Sequence, residues 1–586
     1  MVKKKVQQKA QQPVYSVWRG NFALGLFALM AVSLIGRAGY LQVIAKDKLV
    51  GQGDARHLRV AKLSAHRGTI YDRNGEPLAV STPVDSIWAN PQEFAQKVDQ
   101  VETLANAVNR DPQWLLRRIS QNMHREFVYL RRHMPPAEAQ AVLDLGLPGV
   151  YTLREYRRYY PAGEVAGHVV GFTNVDDKGQ EGMELAFDAW LRGESGAKRV
   201  MKDRLGRVIA NVESISAPEP GKDLITSIDL NIQYLAYREL MRAINSHDAK
   251  SGSVVVVDVP TGEVLAMVNQ PGYNPNDRSQ YAVADYRNRA ATDIFEPGSS
   301  VKPFIAAAAL ESGNYTPHTP IPTNPGYMKV GQLLVEDVVN FGDLDLTGVL
   351  TKSSNVGVVK VAMSLESDQL YQTLSRLGIG QLTTSGFPGE SAGLLTNYQH
   401  WGSITKATLA YGYGLSVTPL QLAQAYATLG SHGIHRPVSF VLRDNDNLDK
   451  RVMEGDIAVQ VIEMLETVTQ KGGTGTRAAV DGYRIAGKTG TTKKFTAGGY
   501  SDDKYVSVFA GVAPASEPRF AVVVVIEEPN GDKYYGGDVA APVFSNVMNN
   551  SLRLLSVAPD TEDPEQQRKL VQDHFSRQLE IQAEVK

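Results

Sequence analysis

The hydrophobic pattern opens with an uncharged run from Gly20 to Gly36, NFALGLFALMAVSLI with a glycine at each end, and AGYLQVIA carries it past Arg37 to Ala45. Such a run rises about 26 Å as a helix, slightly short of a ~30 Å hydrocarbon core, and Arg19 and Arg37 can snorkel. This predicts a membrane-spanning helix over 20–45, with Trp18 and Tyr40 as interfacial aromatics. The period then changes. RGTIYDRNGEPLAVS (67–81) predicts a hairpin, with Asn74-Gly75 in a type I′ turn. Phe94, Leu104, Leu115, Leu116 and Ile119 recur at helical intervals and predict a small helical subdomain; a further helix is expected from Gly182.

Beyond a Pro/Gly-containing linker at 216–223, GSVVVVDVPTGEVLAMVNQ (252–270) predicts two strands around a turn. Three more strands are expected at 483–492, 505–514 and 519–528. Between the two groups lie helical patterns at 303–312, 356–367 and 419–431. Strands at both ends of a helical block predict one α+β domain, its five-stranded antiparallel sheet assembled from both chain ends. The polar segment after Val557 carries only Leu570, Phe575 and Leu579 toward a short amphipathic helix and is expected to be a flexible tail. The expected division is therefore a cytoplasmic tail (1–19), a spanning helix (20–45), an N-terminal pedestal (46–220), a catalytic domain (221–557) and a C-terminal tail (558–586).

Charge and composition narrow the classes. The 586 residues hold 61 basic and 63 acidic side chains, a net charge of -2, with 43% hydrophobic residues. That excludes wholesale disorder and offers no charge excess to replace phosphate counterions, so no nucleic-acid partner is expected. The absence of cysteine removes thiolate nucleophiles, disulfides and cysteine-ligated metals. Lys3, Lys4, Lys5, Lys9 and Arg19 precede the apolar run without any acidic residue, which predicts a cytoplasmic N-terminus and an external remainder. Gly36-Arg37-Ala38 would also pass as a signal-peptide cleavage site, but the run is longer than a usual h-region.

Three motifs carry candidate chemistry. In FEPGSSVKP (295–303), Pro297-Gly298 sets Ser299 at a helix N-terminus with Lys302 one turn on. A serine hydroxyl needs a base, and a desolvated lysine can serve. Alone, SxxK is weak, because on the order of two occurrences arise by chance in such a chain. In KSSNVG (352–357), Ser353 and Asn355 can project together from a loop, to relay a proton and hold a substrate amide; capping a helix is the bland alternative. In GKTGTT (487–492), Lys488 and the hydroxyls of Thr489 and Thr491 can take a carboxylate from a strand edge, where Gly490 would let substrate approach the backbone. SxxK, SxN and KTG in this order, 54 and 135 residues apart, are hard to assemble by chance.

On these motifs, and on RGTIYDRNGEPLA (67–79), RRYYPAGEVAGHVVGF (157–172), GQEGMELAFD (179–188), AGKTGTTKK (486–494) and YYGGDVAAPVF (534–544), the chain resembles the class B penicillin-binding proteins along almost its whole length, and their division-specific branch above the elongation type. Ser354 stands where the general motif has Asp, a position at which class B members vary. The resemblance implies a penicillin-binding transpeptidase domain on a dimerisation-like pedestal. It implies a serine D,D-transpeptidase acting on peptidoglycan stem peptides and inhibited by β-lactams. Ser299 would be the nucleophile, Lys302 its base, with Ser353, Asn355 and Lys488 completing the catalytic set. Thr489, Gly490, Thr491, Tyr535, Gly536 and Gly537 would line the substrate cleft, and the backbone N–H groups of Ser299 and Thr491 would form the oxyanion hole. Neither metal nor organic cofactor is expected. An FtsW-type glycosyltransferase and other division membrane proteins are the implied partners. An elongation-type transpeptidase and a β-lactam sensor or scaffold are the alternatives.

Overall fold

The computed structural model describes residues 17–48, 58–63, 65–202, 208–443, 448–496 and 498–561. Most of the expected cytoplasmic tail, and the tail stretch with Leu570, Phe575 and Leu579, lie outside the described residues.

Helix α1 (Val17–Gly39) continues through a wider turn, Tyr40–Ile44, so that the apolar span runs Val17–Ile44, none of it buried. Val17, Trp18 and Arg19, ahead of the expected start, are already helical.

The chain divides into two compact units: residues 1–64, 85–154 and 195–219 form one, and residues 65–84, 155–194 and 220–586 the other. Within the first unit, Phe94, Leu104, Leu115 and Ile119 are buried together with Ile87, Leu130 and Met134, whereas Leu116, expected among them, is exposed. The helix Pro112–Ser120 is capped by Asp111, whose carboxylate accepts from Trp114 N–H at 2.7 Å.

In the second unit the hairpin at 67–81 forms, but with a different turn. Gly75 N–H donates to Asp72 O, and Gly75 alone of the turn takes a positive φ, 90°. A type I′ turn needs two such residues. Here the Asp72 carboxylate accepts from Asn74 and Glu76 N–H groups at 2.8 Å each, which stabilises a type I turn closed by the glycine. The family-like stretches of the N-terminal half meet in one buried network. Arg67, fully buried, donates to Glu184 at 2.7 Å and Asp188 at 2.8 Å, and Arg158 donates to Glu184 at 2.5 Å. Paired in ion pairs, these charges tie three distant segments together.

The expected five-stranded sheet is present. Its strands are β1 (Ser251–Asp258), β2 (Val264–Gln270), β3 (Ala486–Thr496), β4 (Gly499–Ala513) and β5 (Phe520–Glu527), in the order β2-β1-β5-β4-β3, every neighbouring pair antiparallel. Period-2 alternation sends Val254, Val256, Val522 and Val524 to one face, where α2 (Leu230–Ser246) and a C-terminal helix, Ala541–Leu554, cover them. Val255, Val257, Val523 and Val525 face the helical block, including α3 (Lys302–Glu311), α4 (Asn355–Ser364) and the helix Pro419–Gly430. Burial on both faces is why these strands read as unbroken valine runs; each such side chain contributes about 1.5–3 kcal/mol. β3 is left at the sheet edge.

Candidate active site

Ser299 lies in a 3₁₀ turn, Gly298–Val301, that feeds directly into α3. Several segments hold this turn. Gly298 N–H donates to Gly412 O at 3.2 Å, Thr492 Oγ1 donates to Glu296 O at 3.2 Å, and buried Tyr426 donates its hydroxyl to Ser300 O at 2.8 Å. The Glu296 carboxylate accepts from Gly414 N–H at 2.8 Å and from the Tyr500 hydroxyl at 2.9 Å. Gly298 is required here twice over: its φ is +55°, and a Cβ would fall 2.6 Å from Thr492 Cγ2. That same Cβ position is 3.6 Å from Thr491 N, so the two segments carrying the proposed oxyanion N–H groups touch.

Lys302, the first residue of α3, is fully buried. Its Nζ donates to Ser353 O at 2.6 Å, Asn355 Oδ1 at 2.8 Å and Ser353 Oγ at 3.3 Å. Burial, and next the charge of Lys488, push its pKa well below the ordinary lysine value, against an opposing pull from Asp337. Lys488 is also fully buried, and desolvation lowers its pKa to about 7. Among the described residues its Nζ reaches only Thr489 O and Oγ1, both at 3.3 Å. Among the described residues, Ser299 Oγ has no hydrogen-bond partner; the lysine one turn on is held by the second motif instead.

The second motif divides its roles among adjacent residues. Ser353 ends the helix Leu346–Lys352 in a left-handed conformation, φ 57°, which turns both its carbonyl and hydroxyl toward Lys302. Ser354 is the helix cap: its Oγ accepts from Gly357 N–H at 2.8 Å and donates to Asp337 Oδ2 at 2.6 Å. Asn355 opens α4, accepts from Lys302 and donates through Nδ2 to Glu336 O at 3.1 Å, so both ends of its amide are engaged within the protein. Asp337 binds the start of α4 as an anion should, accepting from the N–H groups of Asn355 at 2.5 Å and Val356 at 3.1 Å. It was not anticipated from the sequence, where nothing marks it beyond an acidic residue 17 positions upstream of Ser354.

On β3, alternation separates the expected carboxylate ligands. Lys488 and Gly490 share one face, and Thr489 and Thr491 the other. Thr489 Oγ1 pairs with Thr474 Oγ1 at 2.8 Å, while Thr491 Oγ1 accepts from Gly536 N–H at 2.9 Å. Gly490 has a different reason from the expected one: a Cβ there would lie 2.7 Å from Pro297 O, so its lack of a side chain seats the Ser299 turn. Gly536 and Gly537 are as confined: a Cβ would lie 2.3 Å from Gly490 O on the first and 2.4 Å from Thr474 O on the second. Half-exposed Tyr535 packs on Tyr534 (centroids 4.6 Å), which stacks on Tyr505 (4.1 Å). Tyr505, which stacks on Tyr534, and Thr474, which pairs with Thr489, lie outside the motifs and were not anticipated.

A serine one turn from a buried lysine, a second buried lysine of lowered pKa and a strand edge beside the serine's turn are groups that can together support acyl transfer. Residues 252–549 match the penicillin-binding protein transpeptidase domain and residues 62–226 the penicillin-binding protein dimerisation domain. The chain belongs to the penicillin-binding protein family, in its class B, FtsI-like branch. It is 46% identical over 561 residues to the peptidoglycan D,D-transpeptidase FtsI of Escherichia coli K12, covering 95% of each chain. It is 42% identical over 557 residues to the probable peptidoglycan D,D-transpeptidase PenA of Neisseria meningitidis, covering 94% of this chain and 95% of that one. Among solved structures it is similar to penicillin-binding protein 3 of Mycobacterium tuberculosis in complex with aztreonam, with TM-score 0.67 at 28% identity over 86% of this chain and 98% of that one. The transpeptidase domain of Burkholderia pseudomallei penicillin-binding protein 3 is 39% identical, with TM-score 0.53 over 57% of this chain and 98% of that one.

Proposed function

We propose that this protein is a serine D,D-transpeptidase that cross-links peptidoglycan stem peptides at the division septum and is acylated by β-lactams. The observation that carries the reading is Lys302: buried, of lowered basicity, bonded to Ser353 and Asn355, and one turn from a serine seated on the Lys488 strand. Ser299 Oγ attacks the carbonyl between the last two D-alanines and gives its proton to Lys302. The tetrahedral oxyanion is met by the N–H groups of Ser299 and Thr491. As the C–N bond breaks, Ser353 passes that proton from Lys302 to the departing D-alanine. An amine from a neighbouring stem then attacks the acyl-enzyme and loses its proton to the same relay, which returns it to Ser299 Oγ as the ester C–O bond breaks and the new amide is released. One amide replaces another, so no external energy source is needed.

Thr489, Thr491 and the 535–537 loop line the donor's path, and Asn355 works chiefly by holding Lys302. The apolar span anchors the chain once in the bacterial inner membrane, with the basic N-terminus inside and the catalytic unit outside. Segment 46–220 serves as the pedestal, and with the anchor it docks on an FtsW-type glycosyltransferase and other division proteins. Ser299→Ala is expected to abolish covalent labelling by a fluorescent penicillin while the melting temperature is kept; persistent labelling overturns the assignment. Depletion in cells should give filaments, whereas rounded cells would indicate elongation.

A further inference from the structure

Three distant segments meet at Glu296, three residues before Ser299. Its carboxylate oxygen Oε1 accepts from Gly414 N–H at 2.8 Å and from the hydroxyl of Tyr500, on β4, at 2.9 Å. Its main-chain oxygen accepts from the hydroxyl of Thr492, on β3, at 3.2 Å. Tyr500 is steadied by rings on either side, edge-on to Tyr413 at 5.4 Å and to Phe495 at 5.3 Å between centroids. The second carboxylate oxygen, Oε2, is buried and has no hydrogen-bond partner among the described residues. Burial accordingly raises the Glu296 pKa above the ordinary glutamate value, against the opposing pull of Gly414 and Tyr500. A desolvated carboxylate with one oxygen unpaired is destabilising, so its presence beside the nucleophile calls for a functional reason.

That reason lies in the oxyanion hole, whose two N–H groups come from separate segments, the Ser299 turn and β3. The segments touch: a Cβ on Gly298 would lie 3.6 Å from Thr491 N. Contact alone does not fix their spacing. Among the described residues, the one hydrogen bond between segment 295–301 and β3 is that from Thr492 to Glu296 O. The Glu296 side chain adds β4 and the 412–414 loop, and that loop holds the turn again where Gly298 N–H donates to Gly412 O at 3.2 Å. We propose that Glu296 is a positioning residue of the oxyanion hole, holding β3, β4 and the 412–414 loop on the serine turn at the spacing the Ser299 and Thr491 N–H groups require. This rests on the reading of Ser299 as the acylated nucleophile. Donors must be aimed at the oxygen of the tetrahedral intermediate, and a shift of about 1 Å can lower a rate 10²-fold. Loss of Glu296 should therefore slow the acylation step and spare the encounter with substrate.

The test uses the detergent-solubilised full chain, labelled by a fluorescent penicillin over a range of concentrations to separate the saturating rate from the half-saturating concentration. Glu296→Ala should lower the saturating rate by about 10–10²-fold and leave the half-saturating concentration within about twofold. Affinity for a boronic acid, which takes Ser299 Oγ on boron and presents a tetrahedral oxygen to the hole, should fall in the same proportion. Glu296→Gln keeps an acceptor oxygen and should restore the rate to within about threefold of the parent. Tyr500→Phe, a milder change at a half-exposed ring, should slow acylation by roughly threefold alone and add nothing on the Glu296→Ala background. An unchanged saturating rate, or a fall confined to the half-saturating concentration, would overturn the proposal. So would a smaller labelled fraction reacting at the parental rate, which is loss of folded protein only. Glutamine as slow as alanine would assign the effect to charge instead of position, and overturn it equally. Covalent labelling that survives Ser299→Ala would instead remove the nucleophile assignment beneath it, which keeps the two failures distinct.

Discussion

The surroundings of Lys302 and Lys488 differ more than their shared burial suggests. Both ammonium groups are removed from water, and both pKa values fall for that reason first. Lys302, however, has three oxygen acceptors and a carboxylate in range, whereas Lys488 has two long contacts to its own neighbour, Thr489. Two buried cations that repel each other do not both remain charged at neutral pH without cost. The held lysine is suited to shuttle a proton between fixed oxygens. The sparsely bonded one supplies field, and it is free to receive an anion.

That contrast is broken most severely at Lys302. Lys302→Ala removes the base and leaves Ser353 and Asn355 without their common donor, so acylation by a fluorescent penicillin should fall by about 10²–10⁴-fold. A rate near the parental value would move the base elsewhere. The same change at Lys488 should cost less if its role is electrostatic.

The pH profile sharpens the comparison next. Neutral Lys302 is the active base, so acylation should rise with pH through its depressed pKa. Charged Lys488 is the active electrostatic form, so the rate should decline as pH passes about 7. Lys488→Arg holds its charge to far higher pH, and should move the alkaline limb upward even though the peak rate drops. An unmoved alkaline limb would assign it to another group. The stability linkage has the corresponding sign. With a folded pKa near 7 and an unfolded value near 10.5, the unfolded state binds more protons between those limits, so the contribution of Lys488 to stability improves as pH rises across that window.

How much of this was visible in the sequence depends on the kind of information each feature needs. Buried strands announced themselves as valine runs, and the three motifs fell on turn, helix junction and edge strand as their residue types required. Even the separation of Lys488 from Thr489 and Thr491 was there to be read, since period 2 on any strand imposes it. The hairpin at 67–81 was legible but its turn was not: Asn-Gly favours type I′, and only the reach of the Asp72 side chain, a local tertiary fact, selects the alternative. Asp337 and Glu296 were illegible for a stronger reason. Each acts on a segment distant in sequence, and an acidic residue in a loop has no pattern that names its partner. The Arg67–Glu184–Arg158 network is the same case on a larger scale.

Asp337 should therefore show an intermediate effect. Asp337→Asn removes the carboxylate that favours charged Lys302, so the acid limb of acylation should move to lower pH. It also loosens the start of α4, and with it Asn355, for a fall in plateau rate on the order of tenfold. Movement of the limb separates an electrostatic role from a purely structural one, since simple unfolding would lower the plateau without displacing it.

The smallest effect is expected at Ser354, which touches neither lysine. Ser354→Ala deletes a helix cap at a cost of about 1 kcal/mol, a fall in melting temperature of roughly 2 °C for a unit of this size. Because Ser354 also donates to Asp337, its loss leaves that carboxylate with only backbone donors. The two substitutions should therefore be non-additive: Asp337→Asn on the Ser354→Ala background should cost less stability than on the parent, by about 0.5 kcal/mol or more. Strict additivity would mean that Asp337 and Ser354 stabilise the start of α4 independently. The acidic residue would then act on Lys302 through charge alone, and the second motif would not be the rigid bracket that sets the two lysines apart.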